Sequence, residues 1–318
     1  MKGWAIATGV VAVGGALVGA GLLGVRAQAN AESATGALVL AEHASLTRPK
    51  PSPSVTARAA ESAPPAPPAP AVAAPEPIAF RQTSTYNGAP VYVPEGCQGP
   101  YDVVLHFHGV HTLVRDKLKS AGVPAVLAVF NAGNGAEKYA QAYQAGGTLS
   151  SLLRQIELAA APHCGGADAK PRRVALVGFS AGYAAVEKIL SRPEDRERVD
   201  AALLADGLHA GFTDVWKRQM APSALQAFRE FGELAKQGKK LFAITHSSIM
   251  TDGYASTTEC SRYLLTALGV PIEGELVSGK SGDFSVEGST GNDKAAHIVQ
   301  FRQMDATLLG KLRARWSR

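Results

Sequence analysis

Short, mostly apolar runs recur along residues 78–318, and each gives way to a stretch with helical spacing. VVLHFH (103–108), AVLAVF (125–130), VALVGF (174–179), AALLA (201–205) and LFAIT (241–245) are too short for helices. They lack the polar alternation of a half-exposed strand, so they read as strands buried on both faces. Between them Leu149, Leu152, Leu153 and Ile156, and then Val186, Ile189 and Leu190, recur at the spacing of one helix face. A further helix is predicted near Ala224–Gln237. Another opens on Ser256-Thr-Thr-Glu259, a capping box in which serine and glutamate satisfy each other's helix-end donors, and ends at Gly269. A last helix starts near Ala295. Ala79–Thr85 and Pro90–Pro94 read as opening strands, and Leu276–Ser278 as a closing one. Strands alternating with helices predict an α/β fold, a mainly parallel central sheet with helices on both faces. Ligands of such sheets lie past the carboxyl ends of the strands. The residues just after each run are therefore where chemistry is sought.

The rest of the chain is of another kind. Residues 3–25 carry no charge, Lys2 precedes them, Arg26 follows, and Ala27-Gln28-Ala29 suits signal cleavage. The run is long for a signal core and just long enough to span a bilayer. Residues 1–29 thus read as a signal peptide or a membrane anchor. Residues 30–77, rich in Ala, Pro and Ser, read as a disordered linker stiffened by proline. The implied location is exported: periplasmic, cell-surface or extracellular, with residues 3–25 as a membrane tether if they are not cleaved.

The formal net charge of the 318 residues is +5. The basic residues are scattered except in the terminal KLRARWSR, read as the solvated tip of a helix, so no nucleic-acid partner is expected. Of three cysteines, Cys97 and Cys164 each precede a predicted strand. If those strands are parallel neighbours, both lie at one sheet edge, and export permits a disulfide between them. Cys260 is left over as a small buried hydrophobe.

The most informative turn is Gly178-Phe179-Ser180-Ala181-Gly182, between the strand 174–179 and the next helix. Small residues let strand and helix meet tightly, and the turn lifts the Ser180 hydroxyl into the open. The N–H of Ala181 at the helix start can face a developing oxyanion. In this context the sequence resembles the α/β-hydrolase superfamily over residues ~80–318, without an assignable subfamily. The resemblance implies a nucleophile, an acid and a histidine in that chain order. It points to Ser180 and to His297, which sits in GNDKAAHIVQF at the start of the last helix. For the acid it offers Asp206, directly after AALLA and favoured because its direction is fixed, with Asp252 as the alternative and Asp283 or Glu287 behind them. It also implies an oxyanion donor in LHFHGVH (105–111), carried to the backbone near Gly109 and Val110.

His106, His108, Phe179, His209 and His246 are pocket candidates, the first two as supporting hydrogen-bonders on one strand face. The segment Leu208–Pro222, with Phe212, Trp216 and Met220, is a candidate wall for an apolar acyl group. Asn131-Ala-Gly-Asn-Gly135 forms a glycine-rich loop near the mouth. The implied activity is serine ester hydrolysis (EC 3.1) on a small-molecule or lipid ester, with no cofactor. Two other readings stand beside it. One is a non-catalytic envelope-binding protein on the same scaffold. The other is a zinc hydrolase using His106, His108 and His111, whose spacing can share a metal.

Overall fold

The computed structural model describes residues 78–221 and 223–318. The expected signal or anchor at residues 1–29 and the linker at 30–77 lie outside the described residues, as does Pro222. Among the described residues no helix is long and apolar enough to cross a membrane.

A nine-stranded sheet organises the chain. Its first strands are β1 (Phe80–Ser84), β2 (Pro90–Pro94), β3 (Tyr101–Phe107), β4 (Val126–Phe130), β5 (Pro171–Phe179) and β6 (Ala201–Ala205). After β6 come two short strands outside it, β7 (Ala210–Asp214) and β8 (Gln219–Met220). Next are β9 (Leu241–His246), the short β10 (Tyr254–Ala255), β11 (Gly279–Ser281) and β12 (Phe284–Gly288). The order across the large sheet is β1-β2-β4-β3-β5-β6-β9-β12-β11. β4, β3, β5, β6, β9 and β12 run parallel, while β1, β2 and β11 pair antiparallel at the two edges.

The strand register sorts side chains between two cores. Leu105 and Phe107 of β3 join one cluster and Val104 the other, as a period of two requires. On the first face lie α2 (Ala136–Tyr143), α3 (Thr148–Ala160), α4 (Tyr183–Leu190), α6 (Gln226–Lys236) and α7 (Thr257–Ala267), with the short α5 (Pro193–Arg198) after α4. The second face is covered by α1 (His111–Ser120) and the C-terminal α8 (Lys294–Arg302) and α9 (Gly310–Trp316). The predicted capping box at Ser256 and Glu259 forms in both directions.

Several expectations change. The last parallel strand is Phe284–Gly288. Leu276–Ser278 makes only an isolated bridge, Glu273 to Ser278. The real strand hides behind polar Ser285 and Glu287 in a hairpin turned at Asp283 and Gly282. β7, β8 and β10 form a separate three-stranded sheet that the sequence pattern does not announce. Within it Phe212 and Met220 pack on the first core, but Trp216 at the hairpin tip is 97% exposed, so it is no pocket wall. The C-terminal basic cluster ends in solvent at Arg318, but two of its side chains are latched to the body of the fold. Arg315 reaches Asp200 and Asp283 at 2.9 Å, and the Trp316 indole N–H donates to Asp200 at 2.7 Å.

Cys97 and Cys164 are joined by a disulfide. β3 and β5 are parallel neighbours, and the bridge lies before the start of both. Arg172 and Arg173 converge on Asp102 at the same end, at 2.8 and 2.6 Å. The N-terminal edge of the sheet is thus stapled, and the opposite edge is left for chemistry. Clefts of about 360 and 460 Å³ also open beside the bridge, on the far side of the sheet from Ser180.

Candidate active site

β5 ends at Phe179, and Ser180–Gly182 form a single tight turn into α4. Ser180 adopts φ +48°, a left-handed conformation that costs an L-residue roughly 1–2 kcal/mol. Two glycines make the turn possible through close approach. A Cβ on Gly182 would sit 2.1 Å from the Phe107 carbonyl oxygen of β3. A Cβ on Gly207 would sit 2.3 Å from the Ser180 carbonyl oxygen and 2.8 Å from its nitrogen. Gly207 therefore does more than turn the chain after β6: it lets the loop that carries Asp206 lie against the Ser180 backbone. Its signal in the sequence is only that β5 and β6 become neighbours.

The strained backbone is not confined to Ser180. His108 after β3 has φ +67° and Asp206 after β6 has φ +43°. Three adjacent strands thus each end in a left-handed residue that is not glycine. Such residues persist only where their surroundings over-determine them, and they gather at functional sites.

His297 lies in the first turn of α8, which Asp293 caps by accepting from the Ala296 N–H at 2.8 Å. The preceding loop is tied to the end of β9: Ser289 Oγ donates to the His246 carbonyl at 3.0 Å and accepts from Gln300 at 2.7 Å. The His297 ring stacks on Phe179, centroids 4.7 Å apart, which sets the imidazole beside the residue that precedes Ser180. One helical turn on, Phe301 packs against the same Phe179 ring at 5.2 Å.

His297 Nδ1 meets Asp206 Oδ2 at 2.8 Å. Asp206 is buried, and it also accepts from the Ser247 N–H at 3.1 Å and the Ser247 hydroxyl at 2.7 Å. Burial pushes its carboxyl up, but the hydrogen bonds from His297 and Ser247 outweigh burial and hold it below the ordinary range. An ionised Asp206 at this distance favours the tautomer that carries its proton on Nδ1. Ser247, directly after β9, has no motif to announce it.

The other acids are elsewhere. Asp252 is exposed in its loop and interacts electrostatically with Arg218. Asp283 pairs with Arg315 and Arg318, and Glu287 with Lys311 at 2.7 Å. Asp206 is the carboxylate that the fold brings to His297.

The remaining histidines separate. His106 is fully buried with its ring edge-on to Phe301, and neither ring nitrogen has a hydrogen-bond partner among the described residues. It is therefore not a supporting hydrogen-bonder. Burial, with a smaller push from His108, drives its pKa down to about 3. His108 lies just past the end of β3, in a left-handed conformation. Its Nδ1 meets the Tyr139 hydroxyl at 3.0 Å, and its ring stacks on Phe179 at 6.0 Å. Burial and then His297 keep its pKa low. His111 stands at the start of α1, 2.5 Å from the Tyr92 hydroxyl. The three do not converge, and among the described residues no group of three or more His, Cys, Asp or Glu is placed to hold a metal.

His209 lies between Tyr183 and Tyr254, its Nδ1 3.2 Å from the Ala255 carbonyl. His246 is fully buried. It is wedged between the Ser247 and Val277 carbonyls at 2.8 and 3.2 Å, and so fixes the residue that holds Asp206. Cys260 is buried, its thiol pushed up by burial.

Of the two expected loop donors past β3, Gly109 is already engaged. Its N–H donates to the Asn131 side chain at 2.9 Å. The N–H groups of Val110 and Ala181 have no partner among the described residues.

A mainly parallel sheet with antiparallel edges, covered on both faces, thus carries Ser180, Asp206 and His297 in that order past the carboxyl ends of its strands. The chain has the α/β-hydrolase fold. That assignment stands on the strand order and directions. No protein-family model matches the chain, and no curated protein matches it. Among solved structures it is similar to a double mutant of the esterase rPPE, at 13% identity over 73% of this chain and 82% of that one, TM-score 0.38. It is similar to a cold-adapted esterase from an Arctic intertidal metagenomic library, at 13% over 72% and 92%, TM-score 0.36. It is also similar to the Pyrococcus furiosus esterase Pf2001, at 11% over 74% and 92%, TM-score 0.39. Similarities this distant bear on neither substrate nor mechanism in this chain.

Proposed function

We propose that this chain is an exported serine hydrolase that cleaves carboxylic esters. The observation that carries the reading is the 2.8 Å contact of Asp206 with His297 Nδ1, made by an imidazole stacked on the residue before a left-handed Ser180. In this mechanism His297 Nε2 takes the Ser180 proton as the hydroxyl oxygen bonds to the ester carbonyl carbon. The carbonyl oxygen becomes an oxyanion, met by the N–H groups of Ala181 and Val110. The imidazolium, stabilised by ionised Asp206, returns the proton to the departing alkoxide, leaving an acyl-serine. Water, deprotonated by the same Nε2, then releases the acid. The apolar run at residues 3–25 and the Ala/Pro/Ser-rich stretch after it support export.

The test is labelling of residues 78–318 with a fluorophosphonate probe, beside Ser180→Ala, His297→Ala and Asp206→Asn, with hydrolysis of p-nitrophenyl esters of graded chain length. Labelling is expected to be lost in Ser180→Ala and His297→Ala, and reaction of Asp206→Asn to be slower by up to about 10⁴-fold. An unlabelled but folded wild type would instead support a binding protein on a hydrolase scaffold.

A further inference from the structure

We infer that Asn131 is the positioning residue that aims the Val110 N–H at the oxyanion, an inference that rests on the serine-hydrolase reading. Asn131 directly follows β4 and opens the glycine-rich loop 131–135. Its carboxamide takes both polar groups of Gly109: Oδ1 accepts from the Gly109 N–H at 2.9 Å, and Nδ2 donates to the Gly109 carbonyl at 2.6 Å. Just before it, the His108 N–H donates to the Phe130 carbonyl at 3.0 Å. The side chain therefore adds one more rung to the β3–β4 ladder after the backbones have parted.

The direction of that rung matters. The Gly109 carbonyl and the Val110 N–H belong to one planar peptide unit, and no cis peptide occurs among the described residues. In a trans unit the C=O and N–H point opposite ways. Asn131 draws the carbonyl toward β4. The Val110 N–H then points to the other side of β3, and the strand on that side is β5, which ends at Phe179 and Ser180. The clamp thus withdraws one candidate donor, Gly109, and turns the next toward the nucleophile. A second lock stands behind it: the Tyr139 hydroxyl accepts from the Ala132 N–H at 3.1 Å and meets His108 Nδ1 at 3.0 Å. Both fix a loop whose His108 already sits in the left-handed region. A donor held in place before the charge develops is what makes an oxyanion site effective.

Asn131 is exposed, so removing its side chain leaves the core intact. The experiment compares wild type, Asn131→Ala and Asn131→Asp for ester hydrolysis, for inhibition by a trifluoromethyl ketone of matched chain, and for amide exchange of Gly109 by NMR. Loss of one oxyanion donor costs about 10²–10³-fold, so Asn131→Ala should lose about 10- to 100-fold in kcat with KM nearly unchanged. Ketone affinity should fall in the same proportion, since the bound ketone carries the oxyanion, and Gly109 exchange should quicken. Asn131→Asp keeps the acceptor but sets a carboxylate oxygen against the Gly109 carbonyl, so it should not restore activity. Unchanged kcat and ketone affinity in folded Asn131→Ala, or full activity in Asn131→Asp, would overturn the role of Asn131 alone. A folded wild type that takes no fluorophosphonate would overturn the hydrolase reading and this role with it.

Discussion

Replacing His106 with leucine should make this protein more stable, and much more so in acid. The imidazole is fully buried on β3 with neither nitrogen satisfied among the described residues. An unsatisfied buried polar group costs about 1–3 kcal/mol. Leucine, of similar volume, removes it and forfeits an edge-on contact with Phe301 worth about 1 kcal/mol. The net expectation near pH 7 is a gain of about 1 kcal/mol. Acid enlarges it. The folded-state pKa of about 3 lies below the ordinary 6.5, so the unfolded chain binds this proton more tightly. The stability tied to the neutral ring is fully present above pH 6.5 and drains away as pH falls toward 3. Between pH 7 and pH 4 that linkage removes about 3 kcal/mol from the wild type and nothing from the variant. Urea unfolding of both proteins at pH 7, 5 and 4 reads the difference directly. Parallel pH dependence in the two proteins would refute the reasoning. So would a His106→Leu variant more than about 1 kcal/mol less stable at pH 7, for the ring would then have a partner.

Other consequences can be checked more briefly. Gly207→Ala should abolish fluorophosphonate labelling in a chain with native circular dichroism, because its Cβ meets the Ser180 backbone at 2.3 Å. Ser247→Ala removes a hydrogen bond that favours ionised Asp206. The acid limb of its kcat/KM profile should move to higher pH, and kcat should fall about 10-fold. Reducing the Cys97–Cys164 bridge, which spans 67 residues, should lower unfolding free energy by about 4 kcal/mol on the loop-entropy estimate. Its place at the far edge predicts an unchanged kcat at 25 °C.

What the sequence made legible followed the strength of its patterns. AALLA and LFAIT are continuous apolar runs, and both are buried strands within a residue of where they were expected. FSVEG was missed because its alternation runs for only four residues before Gly288, too short to stand out, and pairing with β9 is what makes it a strand. The small sheet of β7, β8 and β10 escaped for the same reason: two of its strands are two residues long. At the site, Ser180 could be found because its turn has a local signature. Asp206 could be ranked above Asp252 because it follows its strand directly. Ser247, Gly207 and Asn131 could not, since each matters through a neighbour 27 to 41 positions away or 22 positions back along the chain, brought close by strand order. His106 and His108 show the limit of period-two reasoning. It placed both on one face, but the strand ends between them.

The three left-handed residues at the ends of β3, β5 and β6 also bear on how this protein would respond to selection. Each holds a conformation that glycine would adopt without penalty, so glycine at 108 or 206 would relieve about 1–2 kcal/mol of backbone strain. Heat resistance sought without an activity screen would therefore favour replacements that erase the acid or loosen the loop past β3. Arg218 and Val277 share the left-handed conformation away from this cluster and are open to such relief, whereas on the serine-hydrolase reading a library built for robustness should hold 108, 180 and 206 fixed.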